Sequence, residues 1–252
     1  MLSPYSNLDM VDWEPKTLEL IEQYPLSLDE LRDIALQTWQ ILWQTRIGTG
    51  QSAIRLDEID VPAMVVGYFF EKLYAKELGT RYPNQWRGGR SKDEKDLVCL
   101  MNPFFSTEMK SSGQLTTKIY GNRSYAQRAE RDSSKSKVEK SGYYITVNFY
   151  QTTLTLLRFG WIDYEDWQPQ RTATGQAATL RDEIYKYKLV EIRGDYRLNG
   201  PIGLLNGVGG KRIELFASEG IKTIRDLLAY RGDSQLIQRF REEAKSLETT
   251  SD

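Results

Sequence analysis

The chain has 252 residues, 40% hydrophobic and 27% charged, with a formal charge of −1, enough for one sizeable core or a core with a small appendage. It contains no histidine, which removes Ser-His-Asp triads, histidine-ligated nuclease sites and histidine-bound zinc, and leaves oxygen-ligated magnesium or manganese as the metals to expect. No apolar run is long enough to span a membrane, the N-terminus lacks a charged-then-apolar signal pattern, and the single Cys99 has no disulfide partner, so a cytoplasmic protein away from membranes is expected.

Residues 15–24 read as an amphipathic helix. Ser27-Leu-Asp-Glu30 is a capping box ahead of a second helix carrying Leu31, Ile34, Trp39, Leu42 and Trp43, expected to stop near Ile47-Gly48. A third helix starts after Pro62 and ends before Gly79; it carries Glu71, and Trp39, Trp43 and Phe69 are expected in the core. Residues 79–95 form a connection rich in Gly and Arg, whose Arg87 and Arg90 suit close approach to a sugar-phosphate backbone. Residues 141–150 and 153–162 are strands by their β-branched and aromatic content. Residues 163–179 read as a loop whose Gln170 and Arg171 could bond base edges, and 180–189 as a short helix. Helices followed by strands give an α/β (α+β) class.

The chemistry concentrates in residues 96–110. Asp96 opens one apolar run, Asn102-Pro103 supplies a turn, and the second run carries Glu108-Met109-Lys110. Side chains two apart on a strand share a face, so Glu108 and Lys110 stand together, and a hairpin brings Asp96 beside them. Carboxylates with an adjacent ammonium suit metal-assisted phosphodiester hydrolysis. Asp96 and Glu108 are the candidate metal ligands, with the Met109 carbonyl completing the shell. Lys110 would orient the attacking water, and Glu71 is a further acid. Cys99, among apolar neighbours and without a histidine to activate it, reads as core. Basic residues gather in 81–95 and 118–140 despite the net charge, and a local basic surface decides phosphate contact more than the total.

The order helix with an acid, Asp on an apolar hairpin, Glu-x-Lys, then two strong strands resembles the PD-(D/E)xK nuclease superfamily, although Lys95 stands where that pattern usually has Pro before the Asp. A closer resemblance runs through Ser3-Pro-Tyr5, Arg81-Tyr-Pro-Asn-Gln-Trp-Arg87, Glu108-Met-Lys-Ser-Ser112, Gly121-Asn-Arg-Ser-Tyr-Ala-Gln127, Lys140-Ser-Gly-Tyr-Tyr144 and Arg158-Phe-Gly-Trp-Ile-Asp163. These stretches are similar to the ScaI-type restriction endonuclease family. The resemblance implies a mixed central sheet flanked by helices, and magnesium-dependent cutting of double-stranded DNA at a short palindromic site by a homodimer. It also implies a cognate methyltransferase protecting the same site. Asn122, Arg123 and Gln127 join the DNA-contact candidates.

Residues 1–195 are thus expected to form the endonuclease domain and 196–252 a second unit. In that unit Gly207-Val-Gly209 before Lys211-Arg212 resembles a helix-hairpin-helix motif, whose glycines let backbone N–H groups face a phosphate. The rival readings are a structure-selective repair or recombination nuclease and a DNA-binding protein without catalysis.

Overall fold

The two expected strands pair along their whole length and form the spine of the molecule: Gly142–Tyr150 lies antiparallel to Thr153–Ile162, with Gln151 (φ 53°) in the tight turn between them. The structure, a computed structural model, describes residues 2–122, 125, 140–169 and 177–248. The helices in chain order are α1 (Trp13–Glu22), α2 (Leu28–Gln44), α3 (Ala63–Arg81), α4 (Asp182–Tyr187), α5 (Gly210–Ser218), α6 (Ile224–Ala229) and α7 (Gln235–Ala244). The strands are β1 (Arg46–Ile47), β2 (Ile54–Arg55), β3 (Trp86–Gly88), β4 (Leu97–Cys99), β5 (Thr107–Ser112), β6 (Tyr120–Asn122), β7 (Gly142–Tyr150), β8 (Thr153–Ile162), β9 (Trp167–Pro169), β10 (Ala177–Leu180) and β11 (Leu189–Glu191).

The main sheet runs β11-β8-β7-β5-β4-β3. Only β5 and β7 pair parallel within it, so the sheet is mixed. Alternate residues of β7 serve two cores. Tyr143, Ile145, Val147 and Phe149 pack with α1, α2 and α3. Tyr144 faces the opposite layer, built from α4 and a small sheet ordered β6-β10-β9. Because both faces are covered, β7 is buried from Gly142 to Phe149 and reads as one apolar run rather than an alternating one. This is the α/β architecture expected.

Local departures from the sequence reading have physical causes. The Ser27–Glu30 capping box forms as expected, with Ser27 Oγ accepting the Glu30 N–H at 3.2 Å and Glu30 accepting the Ser27 N–H at 2.8 Å. Beyond α2 the chain makes the β1–β2 hairpin. Helix α3 continues through Gly79 to Arg81. It is apolar on most faces, so its periodicity does not select a buried side. Packing selects Val66, Phe70, Tyr74 and Leu78, and leaves Phe69 exposed, correcting its placement in the core. Gly67 sets that choice, since a Cβ there would strike Ser111 of β5.

The connection 79–95 is not all loop, because Trp86–Gly88 pairs with β4. The loop that follows is folded back on itself. Glu94 takes two bonds from the Arg87 guanidinium, at 2.5 and 2.9 Å, and one from the Arg90 N–H at 2.7 Å. Those donors hold the Glu94 carboxyl down at about 2, led by the Arg87 bonds. Residues 163–179 also hold structure, namely β9 and the start of β10.

The N-terminus is tied to the far side of the sheet by a buried ion cluster. Lys188 Nζ lies 2.9 Å from both Asp163 Oδ2 and Asp166 Oδ2, beneath the rings of Tyr5 (4.3 Å) and Trp13 (4.6 Å). Ser3 Oγ and Trp161 Nε1 donate the remaining bonds to Asp163. A separate apolar cluster joins Leu198, Ile202, Val208, Phe216, Ile224, Leu227, Ile237 and Phe240.

Two outcomes follow from this architecture. Lys188→Met leaves two buried carboxylates without their cation and is expected to destabilise the fold by about 3–5 kcal/mol in urea denaturation; a loss below about 1 kcal/mol would mean that the cluster is not an organising contact. The Glu94 clasp should be fully formed above about pH 4.3, where an unfolded glutamate ionises, and be lost as pH falls through about 2. Hydrogen exchange of the 89–95 amides, corrected for intrinsic rate, is expected to lose protection over that interval, and in Glu94→Gln to lack it at every pH.

Candidate active site

β4 and β5 pair only through Leu97 and Thr107. Just before that pair the ladder is continued by a side chain: Asp96 Oδ2 accepts the Met109 backbone N–H at 2.8 Å. This bond fixes a register the sequence leaves open and brings Asp96 beside Glu108. On β5 the Glu108 and Lys110 side chains share a face, as their spacing predicts. Lys110 Nζ donates to Glu108 Oε1 at 2.7 Å and to the Met109 carbonyl at 3.0 Å. The Tyr125 hydroxyl donates to the same Glu108 oxygen at 2.7 Å.

Burial separates the two carboxyls electrostatically. It pushes Asp96 up to about 7, reinforced by the neighbouring Glu108 and Glu71 charges. Glu108 would be raised by its own burial, but Lys110 and Lys95 more than offset that and hold it below the usual glutamate range. Burial alone would lower Lys110, yet Glu108 and Asp96 keep it above the ordinary lysine value. Of the two carboxyls Asp96 is therefore the first to take up a proton as pH falls, while Glu108 stays ion-paired with Lys110.

The donor set of this cluster is all oxygen: Asp96, Glu108 and the Met109 carbonyl. Among the described residues no three Asp, Glu or Cys side chains are close enough to share an ion, so two carboxylates and the main chain would make up the protein's share. Hard divalent cations bound through one or two carboxylates have this chemistry. Glu108 and the Met109 carbonyl already hold one positive charge between them, the Lys110 ammonium. The set fits such a cation.

Asp96 and Glu108 open into a cleft of about 1160 Å³, whose walls include Tyr68, Lys72, Arg90, Tyr125 and Lys140. A second cleft of about 630 Å³ adjoins it past Tyr68 and is lined by Glu71, Met109, Lys110, Gln114 and Asn122. Of the sequence candidates, Asp96, Glu108, Met109 and Lys110 thus come together. Glu71 enters from α3, paired with Lys72 at 2.5 Å, and its charge reaches Asp96. Arg90 faces the first cleft and Asn122 the second. Arg87 lines neither, its guanidinium being held by Glu94. Arg123, Gln127, Gln170 and Arg171 lie outside the described residues.

Gly207, Gly209, Lys211 and Arg212 are exposed just before and in the first turn of α5, next to Val208 and Ile213 of the C-terminal apolar cluster, and line neither cleft. Gly207 takes a left-handed φ of 78°. Arg212 turns back to the Gly207 carbonyl and lies 5.4 Å from the Phe240 ring centroid. Sequence reading missed Tyr125 and Lys140 as cleft residues. Both fall in stretches already singled out, 121–127 and 140–144, but no spacing rule ties either to Glu108.

Residues 3–193 match the family profile described as ScaI restriction endonuclease. The chain is 33% identical over 198 residues to the Type II restriction enzyme ScaI of Streptomyces caespitosus, covering 75% of this chain and 84% of that protein. A solved structure described as a restriction endonuclease in complex with substrate DNA covers 81% of this chain and 97% of its own, at 12% identity and a TM-score of 0.36, too low to bear on fold or function. The profile match and the identity over three quarters of its length lead to one conclusion: the chain belongs to the ScaI restriction endonuclease family.

Proposed function

We propose that this restriction endonuclease cuts both strands of a short palindromic duplex site, uses magnesium or, in its place, manganese, and acts as a cytoplasmic homodimer partnered in the cell by a methyltransferase of the same specificity. The observation that carries the reading is the Asp96–Met109 bond, which sets two carboxylates of opposite electrostatic character beside one buried lysine at the floor of an open cleft. A palindromic site has two-fold symmetry, which a two-fold dimer matches most simply.

In this reading Asp96, Glu108 and the Met109 carbonyl hold the cation. The cation supplies Lewis acidity toward a phosphoryl oxygen and toward the attacking water. Lys110, anchored by Glu108 and the Met109 carbonyl, orients that water and counters the negative charge growing at phosphorus as one P–O ester bond breaks. Tyr125 fixes the Glu108 rotamer through its hydroxyl. Glu71 acts at longer range on Asp96. Arg90, Asn122, Arg123, Gln127, Gln170 and Arg171 are assigned to DNA contact, and Arg87 acts by shaping the loop that carries Arg90.

Residues 196–252 form the second unit of this proposal. Its support is an apolar cluster of its own, lying beyond the last residue of the family match. The exposed Gly207–Lys211 turn would lie on flanking backbone, with Arg212 bracing it.

Incubation of methyl-free plasmid with and without magnesium, followed by sequencing of fragment ends, tests the reading. Discrete ends sharing one palindrome, formed only with the divalent ion, are expected; a smear, or preference for branched and flapped substrates, would overturn it. Asp96→Asn and Lys110→Ala are each expected to slow cleavage by at least about 10²-fold while retaining duplex binding. Undiminished cutting by Lys110→Ala, with folding verified by circular dichroism, would remove these residues from the site.

A further inference from the structure

The cleavage cleft holds a cation that the Asp–Glu-x-Lys pattern does not include. Lys140 stands two residues before β7. Strands β5 and β7 run parallel with Glu108 opposite Tyr144, so the residues leading into β7 arrive at the same end of the sheet as Glu108. The Tyr144 hydroxyl donates to the Lys140 carbonyl at 2.5 Å, and the neighbouring Ser141 Oγ accepts the Tyr164 N–H at 2.9 Å. These bonds pin the main chain from which the side chain projects.

The ammonium is presented by aromatic faces. Lys140 Nζ lies 4.9 Å from the ring centroid of Tyr125 and 5.5 Å from that of Tyr164, close enough for cation–π attraction. The hydroxyl of the same Tyr125 ring donates to Glu108. Cation, ring and catalytic carboxylate therefore stand in a row along one wall of the cleft, which Lys140 lines together with Asp96 and Glu108. Lys110 Nζ lies 5.0 Å from the same Tyr125 ring, but it is held by Glu108 and the Met109 carbonyl and lines the second cleft rather than this one. A phosphodiester over Asp96 and Glu108 meets Lys140 from the side.

We infer that Lys140 binds a non-bridging phosphate oxygen of the strand being cut, held in place for that contact by Tyr125 and Tyr164. The inference rests on the reading that duplex DNA occupies this cleft. A lysine on phosphate is blind to base identity, so its loss weakens binding to cleavable and unrelated duplexes alike. It also removes one counterion-releasing contact per protomer, which lowers the steepness of log K against log salt by about 0.9 for each protomer on the duplex, about 1.8 for a two-fold dimer.

The test is duplex binding in EDTA, across a salt series, for the wild-type chain, Lys140→Gln, Lys140→Arg and the charge-matched control Lys16→Gln on α1, with thermal unfolding confirming that each is folded. Lys140→Gln is expected to bind both kinds of duplex more weakly with the slope reduced by about 0.9 per protomer, about 1.8 for the dimer, while Lys140→Arg keeps the wild-type slope and Lys16→Gln changes nothing. An unchanged slope in Lys140→Gln, with or without weaker binding, overturns the phosphate assignment and leaves the nuclease reading intact. An equal loss of slope in Lys16→Gln overturns it too, as a general charge effect. A wild-type chain with no affinity for duplex DNA overturns both together.

Discussion

The geometry of the candidate site depends on one hydrogen bond, from the Met109 N–H to the Asp96 carboxylate. β4 is three residues long and contributes a single registered pair to β5. A strand that short does not fix where the residue before it points. The carboxylate supplies the missing rung and, in doing so, is pulled out of solvent and against Glu108. The same contact therefore sets geometry and electrostatics: without it Asp96 could turn toward water, and neither its raised protonation range nor its place beside Glu108 would persist.

What steadies that bond is the frame behind β5. The parallel pairing of β5 with β7 fixes Thr107 through Ser112 on a strand buried on both faces. From the helical side, Gly67 lets α3 press onto Ser111, and the Tyr24 hydroxyl meets Thr107 at 2.7 Å. From the far edge, the Lys188–Asp163–Asp166 cluster draws Ser3, Tyr5 and Trp13 onto the sheet. Buried charges of this kind contribute little net stability, but once present they permit few other packings. The Ser3-Pro-Tyr5 and Arg158–Asp163 stretches, far apart in the chain, are two sides of this one contact.

How much of this was legible depends on the range of the determining interaction. The Ser27 cap, the β7–β8 pair and the Glu108–Lys110 face follow from local periods and from cap chemistry, and the structure contains them. The buried side of α3 was not legible, because its first two turns, residues 63–70, are apolar all round, and the close approach of Gly67 to Ser111 is a contact with a strand far along the chain. The short β3, β9 and β10 were hidden for another reason: strands of three or four residues carry too few alternations to stand out from loop. Arg87 illustrates the same limit at the site. Its composition suggests a phosphate contact, whereas Glu94, seven residues on, engages both of its terminal nitrogens.

Net charge is a poor guide to this surface for a related reason. The chain as a whole is slightly acidic, yet acids near the cleft are largely matched at short range: Glu94 by Arg87, Glu108 by Lys110 and Glu71 by Lys72. Such pairs have weak fields beyond roughly 8–10 Å, the screening length at ordinary ionic strength. The charge a polyanion meets on approach is then set by the residues of the opening itself, where Arg90, Lys92 and Lys140 outnumber the exposed Asp93. Arg90 and Lys92 ride on the loop closed by Glu94, and Lys140 is anchored through Tyr144. Of the two carboxylates proposed for the chemistry, Glu108 is thus matched at contact distance by Lys110. That allows a cleft with Asp96 and Glu108 on its floor to open between cationic side chains.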